Sequence, residues 1–176
     1  MPISEIELKE LIHTVPDFPR EGVEFKDITP LLGNPNAFDA VIQRMSELAI
    51  MENPDYIAGI ESRGFIFGAT LAHSLNLGFV PIRKEGKLPS EVVGESYSLE
   101  YGDSTLEMQS NSIHAGAKVL IVDDILATGG TAECAAKLVE RLGGQVTSFV
   151  FLATLDFLNG RNKIANYRHH HLLTYD

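Results

Sequence analysis

With 176 residues, 44% of them hydrophobic, the chain suits one compact domain able to bury roughly 70% of the surface its unfolded form exposes. Fourteen basic against 24 acidic residues leave a net charge of −10, which disfavours nucleic acid and anionic membrane as partners. A single cysteine rules out a disulfide framework; with no basic-then-apolar leader and no apolar run near the 18 or so residues of a membrane span, a reducing cytoplasm is the expected location.

In chain order, Ser4 and Glu7 have capping-box spacing, and Ile3 and Leu8 flank them as a hydrophobic staple. A helix is therefore expected from about residue 5, ending before Pro16. Residues 18–30 place turn formers around a short apolar and acidic alternation, a loop with an edge strand. Pro35 opens a second helix, with Phe38, Val41, Ile42, Met45 and Leu48 on one face, and Asn53-Pro54 closes it. Residues 56–60 are a buried strand that Glu61-Ser62-Arg63-Gly64 turns into a helix running to about Leu75. Arg63 is the one cation in that turn, and its planar fork suits either pyrophosphate oxygens or a surface salt bridge.

Residues 79–82 form the next strand, leading into Arg83-Lys84-Glu85-Gly86-Lys87, the densest positive cluster. Such a cluster is a solvated face or, since it follows a strand of the same sheet, an anion site. Residues 88–113 alternate weakly around Gly102, which predicts a β-hairpin with few core residues and a candidate active-site lid. Residues 146–152 are a further core strand, 160–165 a short helix, and His169, His170 and His171 begin a last strand rather than a tag or metal site. Cys134 falls among helical alanines, where a small buried residue is expected.

The richest stretch is residues 118–131, Lys-Val-Leu-Ile-Val-Asp-Asp-Ile-Leu-Ala-Thr-Gly-Gly-Thr. Val119, Leu120, Ile121 and Val122 predict a parallel strand buried on both faces, with Asp123 and Asp124 where it ends. Ala127, Thr128, Gly129, Gly130 and Thr131 then lead into a helix. Successive backbone N–H groups at a helix start form a concave anion site, and glycine lets the backbone approach a phosphate. The acidic pair suits sugar hydroxyls. Neither G-x-x-x-x-G-K-[ST] nor G-x-G-x-x-G occurs, which argues against a nucleotide hydrolase or dinucleotide enzyme.

Residues 119–131 resemble the phosphoribosyl pyrophosphate (PRPP) signature of the type I phosphoribosyltransferases, in the form carried by their adenine-specific members. Residues 18–32, 56–68, 81–89 and 96–108 extend the resemblance over nearly the whole chain. It implies an open, mostly parallel Rossmann-like sheet in one phosphoribosyltransferase domain spanning 1–176, with an N-terminal hood (about 1–34) and a flexible lid (about 88–113). The implied reaction, a step of purine salvage, moves the 5-phosphoribosyl group of PRPP to adenine, giving AMP and pyrophosphate, with Mg²⁺ held mainly by substrate and water. It also implies a homodimer.

Residue by residue, the resemblance gives Asp123 and Asp124 to the ribose, and Ala127, Thr128, Gly129, Gly130 and Thr131 to the 5′-phosphate. Ser62, Arg63, Arg83 and Lys87 would take the pyrophosphate, in a turn that often holds a non-proline cis peptide. Glu61 stands where some relatives have Asp, which leaves its role open. Phe25 would stack on adenine, with the backbone at Glu24 and Lys26 reading its edge and Leu155 as an apolar contact. Glu100 would be catalytic, beside Tyr101 in the lid. The rivals are a hypoxanthine-guanine or xanthine enzyme, and a regulator that keeps the fold as a PRPP sensor.

Overall fold

The computed structural model describes residues 3–99 and 102–176. The chain divides into two compact units, residues 1–44 and 45–176, with the boundary inside a long helix. Among the described residues no helix is long and apolar enough to cross a membrane.

In the first unit, helix α1 (Glu5–Glu10) begins at the expected capping box: the Glu7 amide donates to Ser4 Oγ (3.2 Å), and the Ser4 amide to Glu7 Oε2 (2.7 Å). Leu8 is its buried anchor. Strand β1 (His13–Val15) pairs antiparallel with β2 (Phe25–Asp27), in a register that sets Val15 opposite Phe25. The sequence pattern indicated only the second of these strands. Asp27 then accepts from the Thr29 amide (2.9 Å) and hydroxyl (2.6 Å), starting the single turn α2 (Thr29–Leu32). Helix α3 (Pro35–Glu52), which crosses the boundary of the units, is capped by Asn34 Oδ1, which accepts from the amides of Asn36 and Ala37 at 3.1 Å. Its buried stripe is Ala37, Val41, Ile42, Met45 and Ala49, whereas Phe38 and Leu48 are half-buried.

The second unit is built on a seven-stranded sheet of order β5-β6-β4-β3-β7-β8-β9. These strands are β3 (Tyr56–Ile60), β4 (Gly78–Lys84), β5 (Val92–Leu99), β6 (Gly102–Gln109), β7 (Lys118–Leu126), β8 (Gln145–Leu155) and β9 (His169–Tyr175). Strands β4, β3, β7, β8 and β9 run parallel, and β5 and β6 add an antiparallel hairpin at one edge. Helix α4 (Arg63–Leu75) follows β3, and α5 (Gly130–Arg141) follows β7.

Alternation along β7 shows how the strand is buried on both faces. Val119 and Ile121 join the core cluster that includes Ala132, Ala135 and Leu138 of α5; Leu120 and Val122 are equally buried and, by the two-residue period of a strand, face the other side. His169, His170 and His171 are strand residues, as the pattern predicted, and His170 Nε2 lies 2.9 Å from Glu52 Oε1. Cys134 is buried, and its thiol donates to the Glu95 carbonyl (3.1 Å).

The hairpin is longer and better anchored than its sequence suggested. Leu106 and Met108 are buried in the core, and β6 continues the sheet by pairing Arg83 with Glu107 and Lys84 with Leu106. Strand β5 leans on α5: Arg141 Nη1 bonds Glu95 Oε2 (2.9 Å) and the Gly94 carbonyl, and Thr131 Oγ1 donates to the Tyr97 hydroxyl (3.4 Å). A one-in-two alternation hides such a core contribution, because half of each strand is polar by design.

Candidate active site

Strand order decides where the site lies. From β3 the chain crosses through α4 to β4 on one side, and from β7 it crosses through α5 to β8 on the other. The carboxyl ends of β3 and β7 therefore flank the point where the winding direction reverses, which is where open α/β sheets bind ligands. Both turns singled out in the sequence start there.

Asp123 and Asp124 do not stand beyond β7, as expected, but within it. Strand β3 makes its last pairing with β7 at Val122, while β8 continues to pair Asp123 with Phe151, Ile125 with Ala153 and Leu126 with Thr154. The acidic pair is thus held in extended backbone by one neighbour after the other has ended. That support is invisible to a hydrophobicity pattern.

The two turns meet across the reversal. Arg63 Nε lies 2.8 Å from Asp124 Oδ2, in a contact that is ionic without an aligned hydrogen bond to that oxygen. Asp124 is 4% exposed. Gly64 makes the approach possible: a Cβ there would sit 2.8 Å from both Asp123 Oδ1 and the Val122 carbonyl oxygen. Burial and repulsion from Asp124 push the Asp123 carboxyl well above its ordinary range. Burial raises Asp124 as well, against the opposing charge of Arg63. An acidic pair in which Asp124 is buried against Arg63 and Asp123 lines the adjoining pocket suits donor hydroxyls or developing positive charge.

The phosphate-type loop lines a pocket with Asp123, Ala127, Thr128, Gly129 and Thr131 on its wall, together with Phe151. Gly129 caps α5 at φ +79°, a conformation that favours glycine. It has a second duty the sequence did not reveal. A Cβ on Gly129 would lie 2.3 Å from the Gly160 carbonyl oxygen, and one on Gly160 would lie 2.1 Å from that of Ala127, so the loop and the 3₁₀ turn Gly160–Ile164 are packed backbone to backbone.

The Glu61–Ser62 peptide is cis, in the turn where the resemblance placed such a bond. Ser62 caps α4 without a side-chain hydrogen bond. Beside it, the basic cluster after β4 is gathered by a residue sequence reasoning had left open. Glu61 Oε2 accepts from Arg83 Nε (3.1 Å) and the Lys84 amide (2.9 Å), and Oε1 accepts from Lys87 Nζ. Burial pushes the Glu61 carboxyl up, but hydrogen bonds from Lys87, the Lys84 amide and Arg83 hold it below its ordinary value. Glu107, also missed, accepts from the Gly86 amide (3.0 Å) and fixes the turn between the two cations.

Leu155 ends β8, 7% exposed, just before the segment that packs on the phosphate-type loop. Glu24, Phe25 and Lys26 lie in the first unit, with Phe25 edge-on to Phe18 at 5.1 Å and Lys26 Nζ bonded to Thr14 Oγ1 at 2.8 Å. Glu100 and Tyr101 lie outside the described residues.

Residues 28–166 match the model of the phosphoribosyl transferase domain. Adenine phosphoribosyltransferase of Gloeobacter violaceus is 53% identical over 159 residues, covering 90% of this chain and 93% of the relative. The Thermotoga maritima enzyme of the same name is 48% identical over 171 residues, covering 97% and 99%. The chain belongs to the adenine phosphoribosyltransferase family. Solved structures agree: that of the Thermoanaerobacter pseudethanolicus enzyme superposes with a TM-score of 0.95 at 47% identity, covering 98% of this chain and all of the other. The Saccharomyces cerevisiae enzyme, solved with adenine and an imino-altritol bisphosphate, gives 0.89 at 47% identity, covering 95% and 97%. These likenesses bear out the type I phosphoribosyltransferase fold and the enzyme class that the motifs implied.

Proposed function

We propose that this phosphoribosyltransferase works in purine salvage, joining adenine to C1 of the ribose of PRPP to give AMP and pyrophosphate. The observation that carries the reading is the pair of turns meeting at the sheet reversal, with an anion loop on one and an arginine on the other, around buried Asp124. Residues 127–131 hold the 5′-phosphate through backbone N–H groups and Thr hydroxyls, each charge-assisted bond contributing about 1.5–3 kcal/mol. Asp123 and Asp124 accept from the ribose hydroxyls and stabilise positive charge as the bond to pyrophosphate lengthens. Ser62, Arg63, Arg83 and Lys87 take up the leaving group.

In the first unit, Phe25 offers its ring for stacking on adenine and the backbone at Glu24 and Lys26 reads the edge of the base; in the second, Leu155 is the proposed apolar contact. Adenine's 6-amino group donates where hypoxanthine and guanine present an acceptor, so a mismatched base leaves a buried polar group unpaired at about 1–3 kcal/mol. Glu100, next to Tyr101 in the sequence, exchanges the purine ring proton. Covering the site keeps water from the activated sugar.

Mg²⁺ is the proposed cofactor. Among the described residues no group of three or more His, Cys, Asp or Glu side chains is placed to cage a metal, and Asp124 is already committed to Arg63. Asp123, on the pocket wall, is the carboxylate that would face such an ion, which would keep most of its water. When bound it supplies charge neutralisation at the leaving group. A homodimer in the cytoplasm completes the proposal, supported by the exposed apolar pair Ile50 and Met51 and by the lone buried thiol; light scattering tests the dimer.

The deciding experiment incubates the protein with PRPP, Mg²⁺ and each purine in turn. Adenine should be consumed with stoichiometric pyrophosphate, and chelation of Mg²⁺ should stop it. Comparable turnover of hypoxanthine would refute the base assignment.

A further inference from the structure

We propose that Glu61 is an internal anion of the pyrophosphate site, a buried carboxylate that competes with the diphosphate for Arg83, Lys87 and the Lys84 amide. The inference rests on the reading that these cations take pyrophosphate. The Glu61 carboxylate is 6% exposed, whereas the side chains of Arg83 and Lys87 are 34% and 47% exposed. The acid therefore forms the floor of the cluster and the cations its rim.

Every link between Glu61 and the cluster runs to a group that a diphosphate would also want. Oε2 takes the Nε proton of Arg83 and the Lys84 amide, Oε1 takes Lys87 Nζ, and Arg83 Nη1 donates in turn to the Lys87 carbonyl (3.0 Å). These bonds use one of the three ammonium donors of Lys87 and part of the five-donor fork of Arg83, so both cations keep donors for a ligand. The backbone frame is fixed independently: the Glu61 amide bonds the Ile82 carbonyl (2.9 Å), and Glu107 holds the Gly86 amide. Neutralising Glu61 thus alters charge more than shape. A purely structural carboxylate would loosen the cations on removal and weaken diphosphate binding, whereas a competing one strengthens it, and the sign separates the two roles.

The test compares the wild type with Glu61→Gln, which keeps the side-chain length and an acceptor for the Lys84 amide. Pyrophosphate affinity is measured by calorimetry with and without Mg²⁺ and by product inhibition of the forward reaction, with AMP binding as the control. Pyrophosphate should bind on the order of tenfold tighter, KM for PRPP should fall in parallel, and AMP affinity should change less than about twofold. Glu61→Asp, its carboxylate drawn back by one methylene, should fall between. Unchanged or weaker pyrophosphate binding in Glu61→Gln overturns the proposal; if that variant does not fold, the sign of the change in Glu61→Asp decides it in the same way. Failure of the parent reading looks different, because the wild type would then neither bind pyrophosphate nor convert PRPP with adenine.

Discussion

Substitution of Gly64 by alanine tests the meeting of the two turns with one methyl group. The added Cβ would stand 2.8 Å from Val122 O and Asp123 Oδ1 and 3.1 Å from Asp123 Cα, where ordinary contact begins at 3.4 Å. Something must move by about 0.6 Å. Two of the three obstructing atoms are backbone of β7, pinned by β3 through Val122 and by β8 through Val150 and Phe151. The start of α4 therefore yields, and Arg63 moves with it. Overpacking of this kind costs about 1–3 kcal/mol, less up to about 1 kcal/mol from alanine's better helix propensity. With the full propensity gain the net loss is about 0–2 kcal/mol, which lowers Tm by up to about 8 °C in a chain of this size. Because catalysis is sensitive to sub-ångström placement, kcat/KM for PRPP should fall by about 10²-fold. Thermal denaturation and initial rates measure the two effects. A variant with Tm within about 1 °C and kcat/KM within about twofold of wild type would refute the claim that close packing at Gly64 sets the ion pair.

Asp123→Asn should abolish turnover yet stabilise the ligand-free protein. A carboxyl raised by burial favours its protonated form when folded, so folded-state stability falls as pH rises from the unfolded value near 4 towards the raised one; the gain in Tm should be present at pH 8 and vanish near pH 3, and an equal gain at both would refute the linkage. The Cys134 thiol, buried and pushed up to about 11, should resist disulfide reagents at pH 8 in the native protein and react on unfolding. Rapid native labelling would contradict its burial. Glu100→Leu should lower kcat by about 10²-fold or more with little change in PRPP affinity; near-normal turnover in both directions would assign the proton transfer to water or another group.

The two strand-turn-helix units were legible because their local chemistry is complete. A β-branched run, a glycine turn and an amphipathic helix specify each other within about 20 residues, and the end of α4, expected at about Leu75, lies there. What escaped the pattern depends on distance in sequence. Asp123 and Asp124 remain in β7 because β8 pairs with Asp123 and, beyond Asp124, with Ile125 and Leu126, and no residue near them announces it. Glu61 finds its role through Arg83, 22 positions away, and Lys87, 26 away. Leu106 and Met108 are core residues, but alternation with polar neighbours made their hairpin read as loosely held. Strand β1 has too few residues to carry a period at all.

The interlocked backbones of Gly129 and Gly160 bear on how this enzyme can be redesigned. A loop that owes its shape to a neighbour cannot be transplanted alone; a graft of residues 127–131 into another sheet would need the turn Gly160–Ile164 as its counter-mould, with both glycines. Conversely, lengthening the segment after β8 to reshape what lies beside Leu155 would push on the phosphate loop and alter the grip on the sugar. Exchanges of side chain at constant chain length avoid that coupling. Variant libraries for altered base choice should therefore permute residues and leave insertions out.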